Sequence, residues 1–191
     1  MEAFLISTGT VAFAEIGDKT QLLAFLLAAK FRKPWPIIWG ILVATLANHA
    51  LAGALGTWLT SLLSPEILRW LLGFSFIAMA VWILVPDQFS ENDAKLVRYG
   101  VFATTLIAFF LAEMGDKTQV ATVALAAQYQ SFFYVVAGTT LGMLLVNAPA
   151  VVFGDRIARR LPVRWVRAVA SALFAILGIA ALLGAGESLG F

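Results

Sequence analysis

The chain has 191 residues, of which 61% are hydrophobic and only 13% charged, and its mean hydropathy is +0.91. A soluble domain carries about a quarter charged residues, and the apolar excess here runs the whole length, so the chain reads as an integral membrane protein rather than a soluble domain with an anchor. The net charge of +2 says little by its sum, but zero cysteines exclude a disulfide framework and a thiolate metal site, and a single histidine excludes a histidine-rich zinc site.

Six apolar segments follow in order, at about 4–29, 35–60, 66–85, 98–126, 132–153 and 165–185. Most exceed the ~20 residues that cross a ~30 Å hydrocarbon core. The first does not read as a cleavable signal: Met1-Glu2 supply no basic start, and Glu15 and Asp18 sit where an apolar stretch belongs. Breakers separate the segments at Phe31-Arg32-Lys33-Pro34, Ser64-Pro65, Pro86-Asp87-Gln88, Tyr129-Gln130-Ser131 and Arg159-Arg160-Leu161-Pro162. The connections leave no room for a soluble domain, and no stretch alternates as a barrel strand would. Trp35, Trp39, Trp58 and Trp82 fall near segment ends and read as interface anchors.

Lysine and arginine set the orientation. The loops after segments one, three and five hold Lys30, Arg32, Lys33, Lys95, Arg98, Arg156, Arg159, Arg160, Arg164 and Arg167; the other side has Arg69 alone. By the positive-inside tendency, both termini face away from the cytoplasm. The acids of the loop 86–95, Asp87, Glu91 and Asp93, read as a solvated linker.

A repeat organises these segments. A-E-I-G-D-K-T-Q begins at Ala14 and A-E-M-G-D-K-T-Q at Ala112, differing only at Ile16 and Met114. Weaker similarity follows, Ala28-Ala29-Lys30-Phe31 with Ala126-Ala127-Gln128-Tyr129, then Gly40, Asn48 and Gly56 with Gly138, Asn147 and Gly154. Three spans per copy is odd, so the copies enter the membrane from opposite sides. The expected fold is an all-α membrane protein of six transmembrane helices, built as two inverted-topology three-helix repeats. Its parts are a first repeat over 1–86, a cytoplasmic linker over 87–96 and a second repeat over 97–191.

Packing alone would account for the small residues of the motif, Gly17 and Gly115. It does not account for four carboxylates, each costing about 2.5–3.5 kcal/mol at mid-bilayer on insertion scales. On a continuous helix Glu15, Asp18 and Lys19 share a face with Gln21 flanking, while Thr20 points away unless the helix opens at Gly17. The same holds for Glu113, Asp116, Lys117, Gln119, Thr118 and Gly115. If both turns meet at the pseudo-two-fold axis, four carboxylates converge and two lysines offset two of them. A divalent cation or two protons would neutralise the remainder, so metal and protons compete for the same oxygens.

The metal ligands expected are thus Glu15, Asp18, Gln21, Glu113, Asp116 and Gln119, with Asn48 and Asn147 as further oxygen donors or, equally, as interhelical hydrogen-bonding groups. Oxygen donors suit calcium, manganese or magnesium. Lysine repels a cation, so Lys19 and Lys117 are expected to pair with an acid in the empty state, Glu15 and Glu113 lying at i,i+4 spacing, or to organise the helix break. His49 has no counterpart in the second copy and reads as a packed residue, with a proton relay as the other option.

E-x-G-D-[KR]-[TS], present twice in a six-span chain, resembles the signature of the small cation/proton exchangers catalogued as uncharacterised protein family sixteen. Its members include bacterial and cyanobacterial manganese exporters and Golgi and chloroplast relatives linked to manganese and calcium. Both copies, Glu15 to Thr20 and Glu113 to Thr118, fit without departure. The resemblance implies that the acids of both copies bind the transported cation, and that the chain exports manganese in exchange for protons by alternating access, calcium being the rival. No cofactor and no nucleic acid are expected; the partners are the cation and the lipid bilayer, with the oligomeric state left open. The lack of a long N-terminal extension reads as prokaryotic, hence an inner (plasma) membrane. A channel would need a continuous wet pore. An intramembrane aspartyl protease would have no need of two near-identical octapeptides with lysines, and a purely structural subunit none of four buried acids.

Overall fold

The computed structural model describes residues 1–85, 100–153 and 163–184, without the side chains of 163, 164, 166 and 167. The loop charges at Asp87, Glu91, Asp93, Lys95, Arg98, Arg156, Arg159 and Arg160 lie outside the described residues, as do the side chains of Arg164 and Arg167. Every element among the described residues is helical: α1 (Glu2–Glu15), α2 (Lys19–Phe31), α3 (Pro34–Leu62), α4 (Pro65–Leu84), α5 (Gly100–Glu113), α6 (Lys117–Tyr129), α7 (Phe132–Phe153) and α8 (Val163–Leu182). By length and composition α3, α4 and α7 are able to cross a membrane.

The boundaries follow local chemistry. Pro34 and Pro65 open α3 and α4 at the first helical position, where a missing N–H costs nothing, and the Ser64 hydroxyl accepts from the Ile67 N–H at 3.4 Å. Arg32 and Gln130 end α2 and α6 in the left-handed region, with φ of 52° and 46°.

The first and fourth apolar segments are not continuous helices. Each breaks within its octapeptide, at Gly17 (φ 80°) and Gly115 (φ 76°), a backbone state that glycine adopts without the Cβ clash of other residues. Asp18 and Asp116 then stand as N-caps with almost identical extended backbones, φ/ψ −82°/168° and −81°/169°. The fragments α1 and α2 have 14 and 13 residues, each too short alone for a ~30 Å core.

Packing crosses between the two halves of the chain. The N-terminal α1 lies on α7, where a Cβ on Gly142 would come 2.6 Å from the Thr8 carbonyl oxygen and one on Gly138 2.5 Å from that of Phe4. Reciprocally, α5 lies on α3, where a Cβ on Gly40 would come 2.7 Å from Thr105 Cβ. The remaining long helices, α4 and α8, pair with each other through Phe76 and Phe174, ring centroids 6.1 Å apart, and Ser171 donates to the Ala80 carbonyl at 2.8 Å. Both halves therefore hold each other's broken helices against a small-residue face. Trp35, Trp39, Trp58 and Trp82 all stand exposed.

Close backbone approach at Gly142 makes it intolerant of a side chain. Gly142→Val is expected to lower stability by about 1–3 kcal/mol through overpacking. Gly9→Ala, whose added Cβ meets nothing within 4 Å, serves as the control and is expected to hold or raise stability, by up to about 1 kcal/mol; thermal unfolding of both variants in detergent checks the contrast.

Candidate functional site: a buried carboxylate cluster

Each octapeptide folds into the same capped turn. The Asp18 N–H donates to the Glu15 carbonyl at 3.0 Å, and the Asp116 N–H to that of Glu113 at 3.0 Å. Gln21 Oε1 accepts from the Gly17 N–H at 2.9 Å, and Gln119 Oε1 from the Gly115 N–H at 2.6 Å. The opened glycine turns Thr20 back onto its own glutamate: Thr20 Oγ1 donates to Glu15 Oε2 at 2.7 Å, and Thr118 Oγ1 to Glu113 Oε2 at 2.7 Å. The threonine thus takes up one carboxylate oxygen and fixes the other in direction.

The two turns meet. One carboxylate oxygen from each of Glu15, Glu113 and Asp116 lies within 4.8 Å of the others, and all three residues are buried. Asp18 joins from its own side through an ion pair with Lys117, Nζ to Oδ1 2.8 Å, while Lys19 pairs with Asp116 Oδ1, also at 2.8 Å. The lysines are thereby exchanged between the halves. This corrects the pairing expected at i,i+4 spacing, in which Lys19 would meet Glu15 and Lys117 would meet Glu113. That spacing assumes a continuous helix. The break at glycine swings each lysine away from its own glutamate, which its threonine already holds, and towards the aspartate opposite.

Four carboxylates and two ammonium groups share this space, so full ionisation would leave two negative charges over. The leftover acceptors are identifiable: Glu15 Oε1, Glu113 Oε1, Asp116 Oδ2 and Asn147 Oδ1 are buried with no hydrogen-bond partner. An unsatisfied buried acceptor costs about 1–3 kcal/mol, and more when charged. Three of these oxygens belong to residues of the compact trio, and grouped carboxylates of this kind suit a hard cation, which would supply what the protein does not.

The amides differ in their employment. Asn147 donates to the Met143 carbonyl at 3.1 Å and keeps its oxygen unpartnered. Asn48 bridges the halves, donating to the Phe110 carbonyl at 3.0 Å and accepting from Gln119 Nε2 at 3.4 Å. Gln21 and Gln119 use their oxygens to cap the turns. His49 is fully buried, and neither ring nitrogen has a hydrogen-bond partner. Sequence reasoning did not single out Ser7 and Thr10 on α1 or Thr104 on α5, whose buried hydroxyls also lack partners. Their one signal is a hydroxyl within an otherwise apolar segment that ends in a motif glutamate.

Helices of membrane-crossing length around an oxygen-only cluster of paired acids define a transporter of cations. A family described as divalent cation/proton antiporter GDT1 matches residues 3–91 and 101–189, and the chain belongs to that family. It is similar to a Vibrio cholerae protein named "Putative manganese exporter", 51% identical over 181 residues that cover 94% of this chain and 90% of the other. It is also similar to a GDT1-like protein of Synechocystis, 28% identical over 94% of this chain and 96% of the other, and to the yeast divalent cation/proton antiporter GDT1, 22% identical over 94% and 82%. No solved structure matches the chain. The protein is a divalent cation/proton antiporter, not an enzyme, and the ion is its cargo.

The left-handed glycine is testable by itself. A Cβ on Gly115 meets nothing within 4 Å, so Gly115→Ala acts only through its φ of +76°. It is expected to lower stability by roughly 1–2 kcal/mol and to weaken cation binding as the turn rotates, read by thermal unfolding and titration calorimetry on one sample.

Proposed function

We propose that this chain exports manganese in exchange for protons, by alternating access to a mid-membrane site formed by Glu15, Asp18, Glu113 and Asp116 with the Asn147 oxygen. The observation that carries the reading is the convergence of Glu15, Glu113 and Asp116, three buried acids with carboxylate oxygens within 4.8 Å of one another, each of which also keeps one oxygen without a hydrogen-bond partner. Gln21, Gln119, Thr20, Thr118, Gly17 and Gly115 shape the turns, and Asn48 ties α3 to α5 and α6. Metal specificity is drawn from the name of the Vibrio cholerae relative. An oxygen-only site also accommodates calcium, which differs from manganese in preferred ligand number and cavity size. Calcium is therefore the second reading.

The mechanism follows from charge. Two lysines leave the four acids short of two positive charges, a deficit that one divalent cation or two protons makes good. Metal and protons therefore exclude one another, and loading from one side expels the other species. In the architecture proposed, α1 with α2, and α5 with α6, are two interrupted spans among six, and the halves 1–86 and 97–191 are inverted copies joined by the linker 87–96. Support comes from the twin turns, the reciprocal packing and the two stretches matched by the family. Both termini lie outside the cytoplasm, and the membrane is a prokaryotic inner membrane.

Glu15→Gln and Glu113→Gln are each expected to abolish manganese flux in proteoliposomes while the protein stays folded; normal flux in both would remove the site. An imposed pH gradient is expected to drive uptake, whereas indifference to pH would indicate a channel or a uniporter. Competition among manganese, calcium and magnesium in the same assay decides between the two readings: manganese should win, and stronger competition by calcium would favour the second.

A further inference from the structure

The two cross-paired lysines are equivalent in sequence but not in surroundings. Lys117 is enclosed: its side chain is 3% exposed, and that of its partner Asp18 is 2%. Lys19 is 27% exposed, although its partner Asp116 is only 4%. The compact trio of acids comprises Glu15, Glu113 and Asp116, the last being the partner of the exposed lysine. Lys19 occupies Asp116 Oδ1 while Oδ2 of the same carboxylate has no partner.

We propose that Lys19 and Lys117 are tethered stand-ins for the cation and work as alternating latches, Lys19 being the one that an arriving ion would release from the conformation seen here. This rests on the proposed metal site and deepens it. A divalent ion on Asp116 Oδ2 and an ammonium on Oδ1 would share one carboxylate and repel each other strongly where water is scarce. The ion therefore displaces Lys19 from Oδ1 to a more outward position, on the side where it is already 27% exposed, and there its tethered ammonium still counts in the charge balance of the site. Lys117 has no such exit and stays on Asp18, so Asp18 is withheld from the ion in this state. When the access side reverses, the roles exchange: Lys117 releases Asp18, and Lys19 returns to Asp116. In the metal-free carrier both aspartates are again matched, which spares the return step an uncompensated buried charge.

The experiment uses the full chain with manganese as the probe. Lys19→Gln is expected to bind manganese roughly 5- to 150-fold more tightly, the range of ordinary coupling between sites, because no latch has to be displaced. Manganese–manganese counterflow should persist in that variant. Net uptake driven by a pH gradient should fall by a comparable factor, since the metal-free carrier now returns with Asp116 unmatched. Lys19→Arg, which keeps the charge, should restore net uptake. Unchanged or weaker binding by folded Lys19→Gln, or equal loss of both flux modes, overturns the assignment.

Should Lys19→Gln not fold, amine-reactive labelling of the wild-type chain read by mass spectrometry replaces it. Manganese should raise labelling at Lys19, and no rise there overturns the proposal. Glu113→Gln separates the two layers. If it loses manganese binding while Lys19→Gln binds like wild type, only the latch falls; if Glu113→Gln binds normally, the site itself falls.

Discussion

Buried carboxylates have to be balanced where they stand, because neither water nor lipid will do it for them. Here the balance is struck across the molecule. Lys19 lies on Asp116 and Lys117 on Asp18, each pair at 2.8 Å. Neither half of the chain is electrically satisfied alone, since each carries the cation that the other half's aspartate needs. A buried pair of this kind is weak evidence of stability but strongly penalises the loss of one partner. The reciprocal seating of α1 on α7 and of α5 on α3 serves the same requirement by bringing the two turns within reach.

The broken helix is what makes that exchange possible. Ending α1 at Glu15 and restarting at Lys19 frees the chain to aim three consecutive functional groups in different directions. Threonine turns back to the glutamate, glutamine caps the glycine amide, and lysine leaves for the opposite half. What remains is a set of oxygens with nothing to bond: one from each glutamate, one from Asp116 and one from Asn147. Unsatisfied acceptors are normally removed from protein interiors. That three of them belong to acids grouped at one place fits a position reserved for an ion that comes and goes, the role proposed for it here.

Much of the fold was legible because burial in lipid writes itself into composition. Apolar segment lengths locate α3, α4, α7 and α8 within a few residues, while the first and fourth segments each turned out to hold two shorter helices, α1 with α2 and α5 with α6. The acids were legible as a candidate site for the converse reason, since charge inside an apolar segment has few structural uses, and the structure groups three of them. The lysine partners were not legible. Spacing along a helix reports neighbours only while the helix continues, and Gly17 and Gly115 end that continuity. Nor could sequence separate Asn48 from Asn147, two residues of one type in matched places. The first has its oxygen taken by Gln119, and the second keeps its oxygen open.

By itself, then, the sequence determined the class of protein, the apolar segments and the identity of the groups that meet, because hydropathy, periodicity and repetition are properties of the chain. Only the tertiary structure decided who pairs with whom, which oxygens stay unused and which lysine reaches the surface. Those outcomes depend on two turns nearly a hundred residues apart coming to lie against each other. Near-identical octapeptides carry no information about the different surroundings into which packing puts them.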